Sequence, residues 1–181
     1  GSEVDYLAHR FFEAARLMRR ARQGLRFVLP AVPVQRERIE RVAREAGVSD
    51  LVQVVPGQSH AVLAACDATL IASGTATLEA ALFKRPMVIA YNMNWLSWQI
   101  MRRQRLQPWV GLPNILCQDF VVPELLQEEA SPQRLAQAVL DWLDAPERVR
   151  ALQARFTQLH HQLRRDTAAL ATDAIEALLA R

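Results

Sequence analysis

The run Ser73-Gly74-Thr75-Ala76-Thr77-Leu78-Glu79 is the densest concentration of chemistry-bearing residues in the chain. It follows the apolar stretch Ala68–Ala72 and leads into a helix-favouring segment that reaches Phe83, so it reads as a strand-to-helix turn. In an open α/β sheet, ligands bind at the carboxyl ends of the strands. Small residues let backbone N–H groups approach a phosphate, the helix N-terminus adds partial positive charge, and Thr75 and Thr77 carry hydroxyl donors. Glu79, one turn into the helix, is set back from a phosphate but suited to accept hydrogen bonds from the hydroxyls of a ribose. A plainer reading stays open: Ser73 as a helix cap, Gly74 as relief for the turn, Glu79 as a carboxylate near a positive helix end. The spacing matches neither Gly-x-Gly-x-x-Gly nor a P-loop, so neither a nicotinamide cofactor nor a nucleoside triphosphatase is supported.

A second cluster runs from Asn94 to Gly111, where Trp95, Trp98 and Trp109 interleave with Arg102, Arg103 and Arg105. Indoles and guanidinium groups together suit a membrane interface with anionic lipid. The apolar residues of this stretch spread around the helical projection, so packing on protein is the competing reading. His160 and His161 are adjacent and do not share a helix face at ligand spacing, while His9 and His60 have no clear partner in the sequence. Cys66 and Cys117 show no Cys-x-x-Cys or Cys/His spacing, so no zinc site or disulfide framework is indicated and reduced thiols are expected.

The elements that would position these groups alternate. A helix over Val4–Arg22 precedes a short strand, Leu25–Leu29, ended by Pro30; a charged helix from Val34 to Ala46 closes at Gly47, and Leu51–Val55 forms the next strand. The turn Gly57-Gln58-Ser59 opens a helix through Cys66, then come strand Ala68–Ala72, helix Thr75–Phe83 and strand Met87–Tyr91. Asn94–Leu106 reads as a helix, Asn114–Leu116 as a last strand, and the remainder as helices starting at Ser131-Pro132. This alternation predicts a Rossmann-like parallel sheet flanked by helices, an α/β domain over 1–130, with helices over 131–181 packing on it.

Composition agrees with a folded chain. Its 181 residues are 51% hydrophobic and 23% charged, the balance of a globular domain rather than a disordered one. The net charge of +3 is too small to argue for nucleic acid, although Lys84 is the only lysine among 22 basic residues. No apolar stretch approaches the length of a membrane span. The chain opens on Gly1 rather than Met, which leads us to expect part of something longer.

The blocks Ala72-Ser73-Gly74-Thr75-Ala76-Thr77-Leu78-Glu79-Ala80, Pro86-Met87-Val88, Leu112-Pro113-Asn114-Ile115-Leu116 and Pro123-Glu124-Leu125-Leu126-Gln127-Glu128, in that order, resemble the lipid-A-disaccharide synthase family. The opening Gly1-Ser2-Glu3 is similar to that family's Gly-Ser-Arg-x-x-Glu loop with its first three residues missing. The resemblance implies the C-terminal half of a two-domain GT-B glycosyltransferase, cytoplasmic and peripheral to the inner membrane of a Gram-negative bacterium. It implies transfer of 2,3-diacylglucosamine from UDP-2,3-diacylglucosamine to 2,3-diacylglucosamine 1-phosphate (lipid X), with inversion and release of UDP. No metal or other cofactor is implied, and a catalytic carboxylate is expected in an N-terminal half, which leaves this fragment inactive alone. Carried over by position, Gly74, Thr75, Ala76 and Thr77 cradle the diphosphate, Ser73 shapes the turn and Glu79 holds the ribose. Gly57, Gln58 and Ser59 face the uracil edge, and Asn114 and Glu3 line the same cleft. Trp95, Trp98, Arg102, Arg103 and Arg105 would meet the membrane, and a homodimer is compatible. Two other readings share fewer features: a UDP-N-acetylglucosamine epimerase or peptidoglycan glycosyltransferase, alike only around the Gly/Thr/Glu turn, and a non-catalytic module binding a membrane or partner through the Trp/Arg surface.

Overall fold

A computed structural model describes residues 2–72, 74–92, 107–164 and 167–179. In chain order the elements are α1 (Ser2–Ala21), β1 (Phe27–Ala31), α2 (Pro33–Glu45), β2 (Val52–Pro56), α3 (Ser59–Ala65), β3 (Thr69–Ala72), α4 (Thr75–Leu82), β4 (Met87–Tyr91), α5 (Leu112–Cys117), β5 (Glu124–Leu126), a 3-10 turn (Gln127–Glu129), α6 (Pro132–Leu143), α7 (Pro146–Leu163) and α8 (Thr167–Leu179). Every strand pairing is parallel, so the α/β alternation read from the sequence holds. The carboxyl ends of β3, β4 and β5 share one edge of their sheet, with Ala72 beside Ala90 and Tyr91 beside Leu126.

The strands form two pieces, β1–β2 and β3–β4–β5, rather than one continuous ladder among the described residues. Pro30 belongs to the smaller piece. It lies inside β1, opposite Val55, and does not end the strand as its ring suggested. The Ala31 carbonyl accepts from the Gly57 amide beyond β2 at 2.8 Å. Backbone groups alternate sides along a strand, so Pro30 turns its donorless nitrogen away from β2.

β4 is the hub. Met87, Val88, Ile89 and Ala90 are all fully buried, the near-continuous apolar run expected of a central parallel strand. On one side α6 lays Leu135, Ala136, Val139 and Trp142 inward, and the Trp142 indole donates to the Met87 carbonyl at 3.0 Å. Ser131 caps α6 as expected, accepting from the Arg134 amide. Leu152, Phe156 and Leu159 give α7 its buried stripe. By contrast, Leu170, Ile175, Leu178 and Leu179 of α8 are exposed. No helix of the described residues is long and apolar enough to cross a membrane.

Two expectations fail between β4 and α6. Asn114–Leu116 is not a strand but the centre of α5, because Pro113 sits where a helix begins and the segment after it has no strand partner. The last strand is Glu124–Leu126, three residues beside β4, too short to stand out from its helical surroundings. The tryptophan- and arginine-rich residues Trp95, Trp98, Arg102, Arg103 and Arg105, and the helix expected over Asn94–Leu106, lie outside the described residues.

Cys66 links α3 to β3 and donates its thiol to the Leu63 carbonyl. Burial pushes the thiol up from its ordinary range, with Arg85 pulling partly the other way. Since the thiolate is the reactive form, Cys66 is expected to be alkylated by maleimide several-fold more slowly than a model peptide thiol at pH 8. Peptide mapping after timed quenching checks this.

Candidate functional site

The turn between β3 and α4 is built around Gly74. Its φ of 144° and ψ of −169° fall in a region open essentially to glycine, and a Cβ placed there would meet nothing within 4 Å. The requirement is therefore conformational rather than steric. Gly74 occupies the N-cap position of α4, and no side chain caps it among the described residues. Thr75 and Ala76 are exposed at the helix start, where backbone N–H groups lack carbonyl partners within the helix. Ser73 lies outside the described residues.

Thr77 departs from expectation. Its side chain is fully buried, and both its hydroxyl and its amide donate to the Gly74 carbonyl, at 2.7 and 3.1 Å. A hydroxyl engaged in this way shapes the turn from below. Its effect is to fix the Gly74 carbonyl at the head of α4.

The second loop is also strained. Gly57 and Gln58 both have φ near +62°, and for Gln58 this left-handed conformation costs on the order of 1 kcal/mol. Gln58 and Ser59 are exposed, and Gly57 is half-buried. His60, next in line, places Nε2 3.6 Å from Glu79 Oε2 and its ring centroid 5.5 Å from that of Phe83. The structure thus sets the 57–59 turn beside the helix that carries Glu79, and His60 has a partner that the sequence did not disclose. Arg85 reinforces this neighbourhood by donating to the Leu63 carbonyl at 2.8 Å, near the end of α3.

Asn114 is placed elsewhere than expected. It is completely buried, and its side-chain nitrogen donates to the Val122 carbonyl at 2.9 Å and to Glu124 Oε1 at 2.8 Å, while its oxygen accepts from the Val122 amide at 3.0 Å. Glu124 also accepts from the Val110 and Gly111 amides, each at 2.8 Å. The site leaves no room at Gly111, where a Cβ would come within 2.3 Å of Ile89 Cδ1. This network pins the loop before α5 to β5, and α5 packs on α4. The structure therefore places Asn114 inside the network that braces α5 against β5. Glu124 and Gly111 were missed as organising residues; the signal available was a carboxylate opening a strand just after a buried-type Val-Val-Pro run.

Glu3 belongs to the first turn of α1. That helix runs into β1, so its N-terminal part lies toward the edge where strands end, and Arg10 confirms the direction by donating to the Gln127 and Ala130 carbonyls beyond β5, at 2.7 and 3.0 Å. Far from this edge, Lys84 donates to the Leu82 carbonyl and contacts His160 Nδ1, each at 2.7 Å, tying the end of α4 to α7. Trp109 packs edge-on against Phe120.

Comparisons with known proteins agree with the motif order. A family model described as lipid-A-disaccharide synthetase matches residues 1–176. The chain is similar to the lipid-A-disaccharide synthase of Albidiferax ferrireducens, with 63% identity covering 98% of this chain and 47% of that protein. For the synthase of Verminephrobacter eiseniae the identity is 62%, covering 99% and 47%, and for that of Thiobacillus denitrificans it is 50%, covering 96% and 46%. The chain spans about half the length of the curated relatives it matches.

Proposed function

This chain belongs to the lipid-A-disaccharide synthase family, and from that membership we propose that it is the half of a GT-B glycosyltransferase that holds the nucleotide-sugar donor. The observation that carries the reading is the Gly74 turn: a glycine-only backbone at the end of β3, with a helix start that no side chain caps among the described residues and Glu79 one turn further on. The donor is UDP-2,3-diacylglucosamine and the acceptor 2,3-diacylglucosamine 1-phosphate. The acceptor hydroxyl attacks the anomeric carbon with inversion, the bond to the diphosphate breaks, and UDP leaves as lipid A disaccharide 1-phosphate forms.

In this reading the Thr75 and Ala76 amides, with the Thr75 hydroxyl and the α4 dipole, meet the diphosphate and stabilise the charge that grows on it as the bond breaks. Ser73 shapes the turn. Glu79 accepts from the ribose hydroxyls. Gly57, Gln58 and Ser59 face the uracil edge, a role that supplies a reason for the left-handed backbone at Gln58. Asn114 and Thr77 act through the scaffold, and Glu3 approaches from α1. The carboxylate that deprotonates the acceptor belongs to the other half of the protein. Residues 1–130 form the donor-binding unit, and the apolar side of α8 is surface for the other half or a second copy. The enzyme works in the cytoplasm on the inner-membrane surface, which Trp95, Trp98, Arg102, Arg103 and Arg105 engage.

Calorimetric titration with UDP tests the reading. Binding in the submillimolar range is expected, weakened about tenfold or more in Glu79→Ala, since a hydrogen bond to a charged group is worth about 1.5–3 kcal/mol. Absence of heat at millimolar UDP, or identical binding by Glu79→Ala, would overturn it.

A further inference from the structure

The Glu79 carboxylate does not stand alone at the proposed ribose position. His60 and Phe83 flank it from two directions, and their arrangement bears on how the carboxylate is aimed. Glu79 and Phe83 are four residues apart, so they share one face of the helix and its end. The His60 ring lies against Phe83 at 5.5 Å between centroids, tilted by 42°, with Nε2 3.6 Å from Glu79 Oε2. His60 itself follows immediately on Ser59, so the loop assigned to the uracil and the helix assigned to the ribose meet at this pair.

We propose that His60 is a positioning residue that holds the Glu79 carboxylate in the orientation that accepts the ribose hydroxyls of the bound donor. The proposal rests on the donor-binding reading above and extends it to a residue on a different element. The pair is solvent-accessible, with side-chain exposures of 71% for His60 and 44% for Glu79, and exposed ion pairs contribute little to folding. Its effect belongs to binding. A glutamate on its own samples several rotamers and loses that freedom when a ligand arrives, whereas a carboxylate already steered by a neighbour has less to lose. Phe83 contributes by restricting the imidazole, which would otherwise swing freely from the first turn of α3.

The test compares two nucleotides on the 181-residue chain, UDP and 2′,3′-dideoxyuridine 5′-diphosphate, by calorimetry. His60→Ala is expected to weaken UDP about fivefold, as suits the pre-ordering of one rotamer-rich side chain, and to leave the dideoxy nucleotide unchanged. His60→Gln, whose amide can still donate to the carboxylate, is expected to recover most of the UDP affinity. Equal weakening of both nucleotides by His60→Ala would mark a general structural role and overturn the proposal, as would no change for UDP. A wild-type chain that binds neither nucleotide overturns the donor-binding reading itself, and this is seen before any variant is made. Circular dichroism confirms that each variant is folded. If the alanine variant is not, His60→Leu, which keeps apolar bulk against Phe83 and removes the polar nitrogen, takes its place: weaker UDP with an unchanged dideoxy nucleotide supports the proposal, and equal loss of both nucleotides or unchanged UDP overturns it.

Discussion

Asn114→Ala is expected to destabilise the protein by about 3–4 kcal/mol while leaving the UDP affinity of the folded fraction within about threefold of the wild type. The magnitude follows from what the amide holds. Three hydrogen bonds of 2.8–3.0 Å are lost, and the Val122 amide and carbonyl are left without that partner in a residue only 1% exposed. Orphaned buried groups cost about 1–3 kcal/mol each, more than the hydrogen bonds themselves contribute net. For a chain of this size the midpoint of thermal unfolding falls by about 6–16 °C. Urea titration followed by circular dichroism measures the free energy. Asn114→Asp is expected to be at least as damaging, because it replaces a donor with an anion beside Glu124 Oε1. Unchanged stability with abolished UDP binding would instead make Asn114 a ligand contact.

The second large effect has the opposite profile. Gly74→Ala is expected to reduce UDP affinity more than tenfold while the fold survives. No atom within 4 Å obstructs the new methyl group, so the damage comes from the backbone: a φ of 144° is costly for alanine, by about 1–3 kcal/mol. The chain can relieve this by rotating the turn, and doing so releases the Gly74 carbonyl from Thr77 and redirects the amides at the head of α4. A diphosphate held chiefly by those amides loses its donors together. Calorimetry with UDP, set against thermal unfolding of the same samples, separates the two losses. Wild-type affinity in Gly74→Ala would place the diphosphate elsewhere.

These variants also mark where the sequence was informative. Four of the strands, and the helices between them, could be read from mostly apolar runs of four or five residues bounded by Gly, Pro and Ser, most plainly at β4, where a central parallel strand buried on both faces writes itself as such a run. Glu124–Leu126 could not: at three residues, opening with a charge, it is a strand only because β4 offers it a partner. The same holds for Asn114. An asparagine after Leu-Pro looks like a loop residue, and its burial depends on Val122 and Glu124 arriving from eight and ten residues away. At the turn itself the sequence disclosed residue types but not their orientation. Thr75 and Thr77 look interchangeable, yet position along the first turn of α4 leaves one exposed and folds the other beneath Gly74. His60 and Glu79 are nineteen positions apart and become neighbours only because the fold brings the first turn of α3 to within 3.6 Å of the Glu79 carboxylate.

The division of the strands into two pieces has a consequence for cohesion. A uridine nucleotide reaching from the Gln58 loop to the head of α4 would begin on the piece that contains β2 and end on the piece that contains β3, so it would act as a rivet between two pieces that no strand pairing joins among the described residues. Its binding free energy would then count toward holding the two pieces together. Amides in β1 and β2 would exchange with solvent more slowly as the nucleotide saturates, and those of β4, already locked between α6 and its neighbours, would change least.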